Sequence, residues 1–286
     1  MAEFVRVHEV GPRDGLQNEK RIIAAADKIR LVDLLSACGF QKIEVTSFVR
    51  ADRVPQMADA EEVMAGITRR PGTLYTALTP NLRGYESARA SRVDEVAVFA
   101  SASEGFSQKN INCSIAESFE RFIPLVEKAR QDGVPVRGYV SCVIDCPYDG
   151  ATEPRQVAEV AERLLALGCR EVSLGDTLGH GTPERVATML DAVLDQVPAD
   201  CLAGHFHDTN GRALDNISAG LDRGIRVFDA AAGGLGGCPY APGAKGNVAT
   251  GQAVARLHHL GFRTGVNTDR LAEAEVFARS LKGVPA

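Results

Sequence analysis

The sequence of 286 residues contains no tryptophan, and only 6% of its residues are aromatic. It also lacks any apolar run close to the roughly 18 residues that a membrane-spanning helix needs. The first six residues do not show the basic stretch followed by an apolar run that marks a secretory signal. We therefore expect a protein that neither enters a membrane nor follows the secretory route.

Neither sign of charge dominates the chain. Lys and Arg total 32, Asp and Glu total 37, and the formal net charge is −5. Binding to nucleic acid usually needs a clustered basic face, but the basic residues form no run longer than pairs such as Arg69-Arg70. The pattern argues against a nucleic-acid partner, whereas a few local cations suffice for a small anionic ligand.

A disulfide framework is also not expected. The seven cysteines are odd in number and dispersed, at positions 38, 113, 142, 146, 169, 201 and 238. Such a pattern is typical of reduced thiols in a cytoplasm. Cys142 and Cys146 resemble half of a zinc site, but no second pair follows them, so we interpret both as structural.

What the chain does contain is an alternation of short β-branched segments with longer segments of helical spacing. Between residues 157 and 165, for example, apolar residues recur at i, i+3, i+4, i+7 and i+8. Ser114 and Glu117 have the spacing of a capping box, which opens a helix. The predicted strands are residues 4–10, 42–47, 73–78, 95–100, 136–142, 171–175, 202–207 and 227–231.

Strands alternating with helices predict a parallel sheet, and eight strands are the number that closes a (β/α)8 TIM barrel. We predict one catalytic domain over residues 1–286, ending in a helix at 269–281 that packs on the barrel or on a second subunit. The alternative is an open doubly wound sheet. Its usual glycine-rich turn is missing, because residues 11–15 match neither G-x-G-x-x-G nor a P-loop.

Polar residues follow several predicted strands, and barrel enzymes place their active residues at these carboxyl ends. His205 and His207 are two apart on a strand, so both rings face the same side. Asp14 and Asn247 lie on other loops of the same rim. Two hydrogen-bonded histidines are the simpler interpretation, but the four residues together favour a metal site. Nitrogen and oxygen ligands without thiolate suit Mg²⁺ or Mn²⁺, with zinc as the less favoured ion.

Three further charged residues lie at this rim. Arg13 is either half of a loop ion pair or a cation that stabilises developing oxygen charge. Glu44, on a strand predicted to be buried, needs a cation partner or a raised pKa, and Arg13 is the candidate partner. Asp176 has three possible roles, which are to orient a ligand, to move a proton or to cap a turn.

Cys238 lies in a loop rich in glycine, which lets a backbone approach a ligand closely. A free cysteine is more often a buried, inert residue, and this interpretation fits Cys38, Cys169 and Cys201. For Cys238, the glycine loop and the rim position favour a reactive thiol.

These segments resemble the motifs of hydroxymethylglutaryl-CoA lyases, in the same order and across nearly the whole chain. The matching segments are EVGPRDGLQNE (9–19), KNINCS (109–114), GYVSC (138–142), LGDT (174–177), HFHDT (205–209) and GGCPYA (236–241). The last is the most specific, because it separates these lyases from related barrel synthases that condense acyl-CoA with keto acids.

The resemblance implies a divalent-cation-dependent TIM-barrel lyase, a homodimer, that cleaves (S)-3-hydroxy-3-methylglutaryl-CoA to acetyl-CoA and acetoacetate. The family's metal ligands fall on Asp14, His205, His207 and Asn247. Its catalytic residues fall on Arg13, Glu44, Asp176 and Cys238, with Asp14 as a further candidate proton acceptor. Asn110 and Ser114, together with Arg13, fall on positions near bound substrate.

Three departures from the family pattern lie near the rim and bear on the acyl group more than on bond cleavage. Residues 50–53 stand where the family usually has S-P-K-W, Asp145 replaces a glycine, and Gly251 replaces a glutamate. One alternative is therefore a lyase for a related 3-hydroxy-3-alkylglutaryl-CoA or a citramalyl-type ester. A carboligase joining acyl-CoA to a keto acid and a non-catalytic barrel that binds acyl-CoA are the others.

Overall fold

Ten β-strands occur in the part of the chain that this computed structural model describes, residues 2–236 and 246–282. Eight are parallel and form the barrel, and two short ones form a hairpin. The barrel strands are β1 (Arg6–Glu9), β2 (Lys42–Ser47), β3 (Leu74–Leu78), β4 (Glu95–Ser101), β5 (Val136–Ser141), β8 (Glu171–Asp176), β9 (Leu202–Phe206) and β10 (Val227–Ala230). The hairpin strands are β6 (Asp145–Cys146) and β7 (Gly150–Ala151).

The barrel closes between its first and last strands. Around the ring the order is β1, β10, β9, β8, β5, β4, β3, β2, and Arg6 pairs with Val227 where the ends meet. This confirms the predicted (β/α)8 TIM barrel. Strand bounds differ from prediction by at most two residues, and β1 begins at Arg6 because Phe4 forms only an isolated bridge with Arg263.

Helices cover the outside of the barrel. They are α1 (Ala25–Ser36), α2 (Ala60–Gly66), α3 (Leu82–Ala90), α4 (Glu104–Ile111), α5 (Ile115–Asp132), α6 (Pro154–Leu167), α7 (Pro183–Leu194), α8 (Ala213–Asp222), α9 (Thr250–His259) and α10 (Thr268–Leu281). Within the described ranges, none of them is long and apolar enough to cross a membrane.

Local sequence signals account for several of these helices. The predicted capping box opens α5, where the Ser114 hydroxyl accepts from the Glu117 amide and the Glu117 carboxylate accepts from the Ser114 amide. The final helix, α10, buries Leu271 and Ala278 on the barrel side and packs against α1. The sequence left open whether this apolar stripe packs on the barrel or on a second subunit, and in the structure it packs on the barrel of its own chain.

Charged side chains fill the amino end of the barrel interior. Alternate strand residues point inward, and here they pair across the ring in a cluster that we call the ionic floor. Lys42 donates to Glu95 at 2.8 Å, and Arg137 binds Glu171 and Asp229, each at 2.8 Å. All five side chains are buried, so this end of the barrel is closed by ion pairs rather than by apolar packing.

Candidate active site

A π-helical turn follows β1 and carries the first two predicted site residues. In it, the amide of Gly15 donates to the carbonyl of Val10, five residues earlier, at 3.3 Å. Such turns are rare and frequently occur at functional sites. A Cβ on Gly15 would lie only 2.6 Å from Cβ of Leu235, so glycine permits this close packing. The turn places Arg13 and Asp14 in the mouth of the barrel, at the carboxyl ends of the strands.

Asp14, His205 and His207 form a cluster that has the geometry of a metal site. Each offers one ligand atom, and these atoms lie within 4.8 Å of one another. The two histidine rings are 5.3 Å apart between centroids, which agrees with their predicted placement on one side of the strand. Among the described residues, no other group of three His, Cys, Asp or Glu side chains meets this criterion.

The protonation states in this cluster suit a cation. Nδ1 of His207 is buried without a hydrogen-bond partner, and burial lowers the pKa of this ring to about 4. Burial alone would raise the pKa of Asp14, but Arg13 and the two histidines outweigh it and hold the pKa at about 2. A neutral imidazole with an unused nitrogen beside an ionised carboxylate is the donor set that a divalent metal requires.

Asn247 reaches the same cluster from a distant part of the chain. Its side-chain amide donates to Oδ2 of Asp14 at 2.7 Å and to the carbonyl of Leu235 at 3.3 Å. Its backbone forms an isolated bridge with His207. The structure thus brings all four residues of the predicted ligand set together.

Asp229, which was not predicted as a site residue from the sequence, lies behind this cluster. Its Oδ2 lies 3.1 Å from Nδ1 of His205, whose Nε2 faces Asp14 at 3.9 Å. Burial alone would lower the pKa of His205, but Asp229 outweighs it and raises the pKa. Arg137 in turn binds Asp229, so the ionic floor is connected through Asp229 to His205, a residue of the predicted ligand set. Arg137 and Asp229 are charged residues within otherwise apolar strands, and this is the sequence signal that could have identified them.

Arg13 is held at the other side of the mouth. Its Nε and Nη2 both lie 2.6 Å from Oε2 of Glu44, which confirms the predicted pairing. Desolvation dominates at Glu44 and raises the pKa of its carboxyl group, although Arg13 acts in the opposite direction. The Arg13 guanidinium also lies 5.4 Å from the ring centre of Tyr139. The Arg13 guanidinium is therefore fixed in orientation, and it lies beside Asp14 of the predicted ligand set.

Comparison of this sequence with known proteins identifies its family. The HMGL-like family model matches residues 5–277. A 3-hydroxy-3-isohexenylglutaryl-CoA/hydroxymethylglutaryl-CoA lyase from Pseudomonas aeruginosa is 60% identical over 270 residues, covering 94% of this chain and 90% of that protein. The protein belongs to the HMGL-like family.

Solved structures in the same family have the same fold. The HMG-CoA lyase from Brucella melitensis is 60% identical, with a TM-score of 0.97 and coverage of 98% of this chain and 99% of that one. An HMG-CoA lyase from Acinetobacter baumannii, solved with coenzyme A and 3-methylmalate, is 37% identical, with a TM-score of 0.92 and coverage of 97% and 91%. The likeness therefore extends over essentially the complete barrel of this HMGL-like protein.

Asp176 occupies a different place from the other predicted site residues of this HMGL-like protein. Its carboxylate accepts hydrogen bonds from the amides of His180 and Gly181, at 3.2 and 2.8 Å. Gly181 has three close neighbours, because a Cβ placed on it would lie 2.8 Å from Oδ2 of Asp176, 3.0 Å from Nδ2 of Asn216 on α8 and 3.1 Å from Cγ2 of Val186 on α7. The Asp176 carboxylate therefore faces helices α7 and α8. Desolvation raises its pKa. This is the geometry of the turn cap that the sequence left open as an alternative.

Asn110 and Ser114 lie beyond the carboxyl end of β4, on the mouth side of the barrel. Asn110 is exposed near the end of α4, and Ser114 is the half-buried N-cap of α5. Their predicted contact with substrate remains a prediction.

Cys238 lies outside the described residues, but both flanks of its loop are described. On the amino side, Ala232 donates its amide to Oε1 of Glu9 at 2.9 Å. On the carboxyl side, the Thr250 hydroxyl donates to Oε2 of the same carboxylate at 2.7 Å. Desolvation raises the pKa of Glu9 to about 7. One buried carboxyl group, which the sequence analysis did not single out, therefore anchors both flanks of the glycine loop.

Proposed function

We propose that this protein cleaves (S)-3-hydroxy-3-methylglutaryl-CoA to acetyl-CoA and acetoacetate, with Mg²⁺ or Mn²⁺ as cofactor. The observation that carries the proposal is the cluster of Asp14, His205 and His207 beside Arg13 in the mouth of an HMGL-like barrel. The bond to be broken joins C2 and C3 of the substrate. Its cleavage requires the C3 hydroxyl to lose a proton and C2 to gain one.

Asp14, His205, His207 and Asn247 are the residues that would hold the cation. When bound, a divalent ion polarises a substrate oxygen and lowers the pKa of its proton. Carboxylate, imidazole and amide donors without a thiolate favour Mg²⁺ or Mn²⁺ over zinc. The hydrogen bond that Nδ1 of His205 donates to the Asp229 carboxylate fixes the orientation of the His205 ring, as is common for histidine ligands.

Arg13 is proposed to stabilise the thioester enolate that leaves as the acetyl-CoA half. Its guanidinium is held by Glu44 and Asp14, so it needs no reorganisation when negative charge develops. The enolate oxygen carries that charge, and a fixed cation in a site with little water stabilises it strongly.

Two proton transfers complete the reaction. Asp14 lies in the cluster and is the candidate acceptor for the hydroxyl proton, whereas the Asp176 carboxylate is turned outward and caps the turn that follows β8. Cys238 is proposed to protonate C2 of the enolate, because an ordinary thiol pKa of about 8.5 is close to working pH. Asn110 and Ser114 are proposed to contact the acyl-CoA substrate.

A second candidate substrate is a 3-hydroxyglutaryl-CoA with a longer alkyl or alkenyl group at C3. The name of the Pseudomonas relative includes a 3-isohexenyl substrate at 60% identity to this chain. The departures from the family pattern also lie near the mouth. Asp145, for instance, binds Arg185 at 2.6 Å and contacts His180 at 3.1 Å.

A coupled assay of acetyl-CoA release tests this function. Wild-type protein is treated with EDTA, assayed on the methyl substrate, and assayed again after Mg²⁺ or Mn²⁺ is restored. We expect turnover to disappear with the chelator and to return with the metal. Full activity after exhaustive chelation contradicts the metal role, and carbon–carbon bond formation from acetyl-CoA and a keto acid, without cleavage, favours the carboligase.

Two variants test the roles proposed for His207 and Cys238. His207→Ala is expected to lower kcat by at least about a hundredfold, on the scale of a lost electrostatic stabiliser, whereas the exposed His259→Ala is the matched control and stays within twofold. Cys238→Ala is expected to lower kcat by about 10²–10⁴-fold, the usual contribution of a general acid. Near-normal turnover of Cys238→Ala would remove the acid role.

The oligomeric state of the protein and its location in the cell are also part of the proposal. The family resemblance and the dispersed cysteines support a homodimer that acts in the cytoplasm on an acyl-CoA ester. Size-exclusion chromatography with light scattering measures the mass in solution. A monomeric mass over the micromolar concentration range would contradict the dimer.

A further inference from the structure

The barrel interior contains an apolar cluster that is separate from the main core. Leu78, Ala97 and Tyr139 are buried and contact one another, and Phe99 packs against them half-buried. The main core lies between the strands and the surrounding helices and includes Val96, on the same strand as Phe99. The four side chains of the separate cluster, which we call the apolar wall, come from three adjacent strands.

Strand geometry places the apolar wall on the inside of the barrel, towards the mouth. Glu95 points inward to the ionic floor, so the alternating residues Ala97 and Phe99 also point inward, one and two layers higher. Phe99 is opposite Tyr139 in the register of β4 and β5. A half-buried aromatic ring in this position exposes its free face to the mouth.

The apolar wall lies across the mouth from the metal-site histidines. In the ring of eight strands, β3 is four positions from β9, which carries His205. Tyr139 joins the two regions, because its ring is 5.4 Å from the Arg13 guanidinium and 6.4 Å, edge to face, from His205. A small molecule held at the polar side therefore has this apolar surface next to it.

We propose that the apolar wall receives the substituent on C3 of the substrate, and that the side chains at positions 97 and 99 determine how long that substituent can be. The inference rests on the proposed function, in which C3 lies at the cation. The hydroxyl, thioester and carboxylate of the substrate need polar partners, whereas its alkyl group is the one part that gains by contact with carbon. Each CH2 group of that substituent that is buried against the apolar wall adds to the binding free energy.

The experiment compares kcat/KM for two substrates, 3-hydroxy-3-methylglutaryl-CoA and its 3-isohexenyl counterpart, at saturating Mg²⁺. Phe99→Ala enlarges the wall and is expected to raise the ratio of long-chain to methyl kcat/KM by about tenfold or more. Ala97→Val narrows the wall and is expected to lower the same ratio by about tenfold. The two variants therefore change specificity in opposite directions.

Val98→Ala is the matched control. Val98 is on the same strand but faces the main core, so its truncation costs packing without touching the wall. We expect it to lower Tm and to leave the substrate ratio within twofold. Ala97→Val removes no atoms, so it still tests the inference if Phe99→Ala does not fold.

The outcomes separate this inference from the function beneath it. A substrate ratio that stays within twofold of wild type in the folded wall variants, with normal methyl turnover, overturns the apolar wall as the C3 subsite and leaves the lyase activity standing. Failure of wild-type protein to cleave either substrate overturns the proposed function itself.

Discussion

The two ends of the barrel interior are both lined by charged side chains, but they use them differently. At the amino end, the carboxylates of the ionic floor are each bound by a cation, and Arg137 alone binds two of them. At the mouth, buried polar atoms remain without a hydrogen-bond partner. These atoms are Oε1 of Glu44, Oγ of Ser47, the hydroxyl of Tyr139 and Nδ1 of His207.

An unpaired polar atom in a protein interior costs free energy, and several at one site call for an explanation. A ligand that supplies the missing partners is the explanation that the mouth supports. In the ionic floor, in contrast, every carboxylate has a cation partner without any ligand. These ion pairs join residues of different strands, so they contribute to specifying the strand register. Substitutions in the floor should therefore act mainly on folding, and those in the mouth mainly on turnover.

The largest effect is expected in the floor, from Arg137→Met. This change leaves Asp229 and Glu171 buried without their main cation, and breaking a buried pair in this way costs about 3–5 kcal/mol. Urea denaturation measures the loss. The control is Arg155→Met, which breaks an exposed pair with Glu159 and should cost no more than about 1 kcal/mol. Equal losses in the two variants would contradict the distinction between the two ends.

In the mouth, Arg13→Met should reduce kcat by about 10²–10³-fold, the usual cost of removing a fixed stabiliser of an oxyanion. The free energy of unfolding should fall less than in Arg137→Met, because Glu44 can take up a proton once its cation is gone. Saturation kinetics and denaturation on the same preparation measure both. A variant that is unstable but turns over normally would reverse the assignment.

Asp229→Asn tests the residue that links the two ends. Loss of the carboxylate that orients His205 should weaken Mn²⁺ binding by about 10–100-fold, which isothermal titration calorimetry measures without any turnover. Ser173→Ala removes only a hydroxyl that donates to the same carboxylate at 2.8 Å, and it should weaken binding by less than about threefold. Unchanged affinity in Asp229→Asn would confine Asp229 to the floor.

The smallest effect is expected at the edge of the mouth, from Ser114→Ala. Loss of this N-cap should cost about 1 kcal/mol of stability and, if the proposed substrate contact exists, raise KM severalfold. Asn267→Ala removes the cap of α10, which accepts from the Arg270 amide, and should lower stability alone. An unchanged KM in Ser114→Ala would leave it as a helix cap only.

Much of the barrel could be predicted because each strand is a short β-branched run with its own boundaries. The hairpin of β6 and β7 could not, because two-residue strands carry no periodic signal. The residues of the candidate metal site were predictable for a related reason. They follow strand ends, and the carboxyl ends of parallel strands meet at one rim.

The residues that were missed or displaced depend on register, which one sequence does not display. Arg137 and Asp229 are 92 residues apart and meet only because their strands are aligned across the barrel. Asp176 was predicted to follow its strand, but β8 includes it, and the period-two alternation turns its carboxylate outward. The π-helical turn at Arg13 likewise has no simple pattern in the residues that form it.

The contact between Asp14 and Asn247 joins positions 233 residues apart, and it exists only after β1 has paired with β10. No fragment of the growing chain can therefore assemble the complete cation site before almost the whole protein has been synthesised. A cation bound at the candidate site would have affinity only for the closed barrel, so by mass action it would stabilise barrel closure in addition to its part in the reaction. The supply of the ion and the stability of the fold would then be thermodynamically coupled.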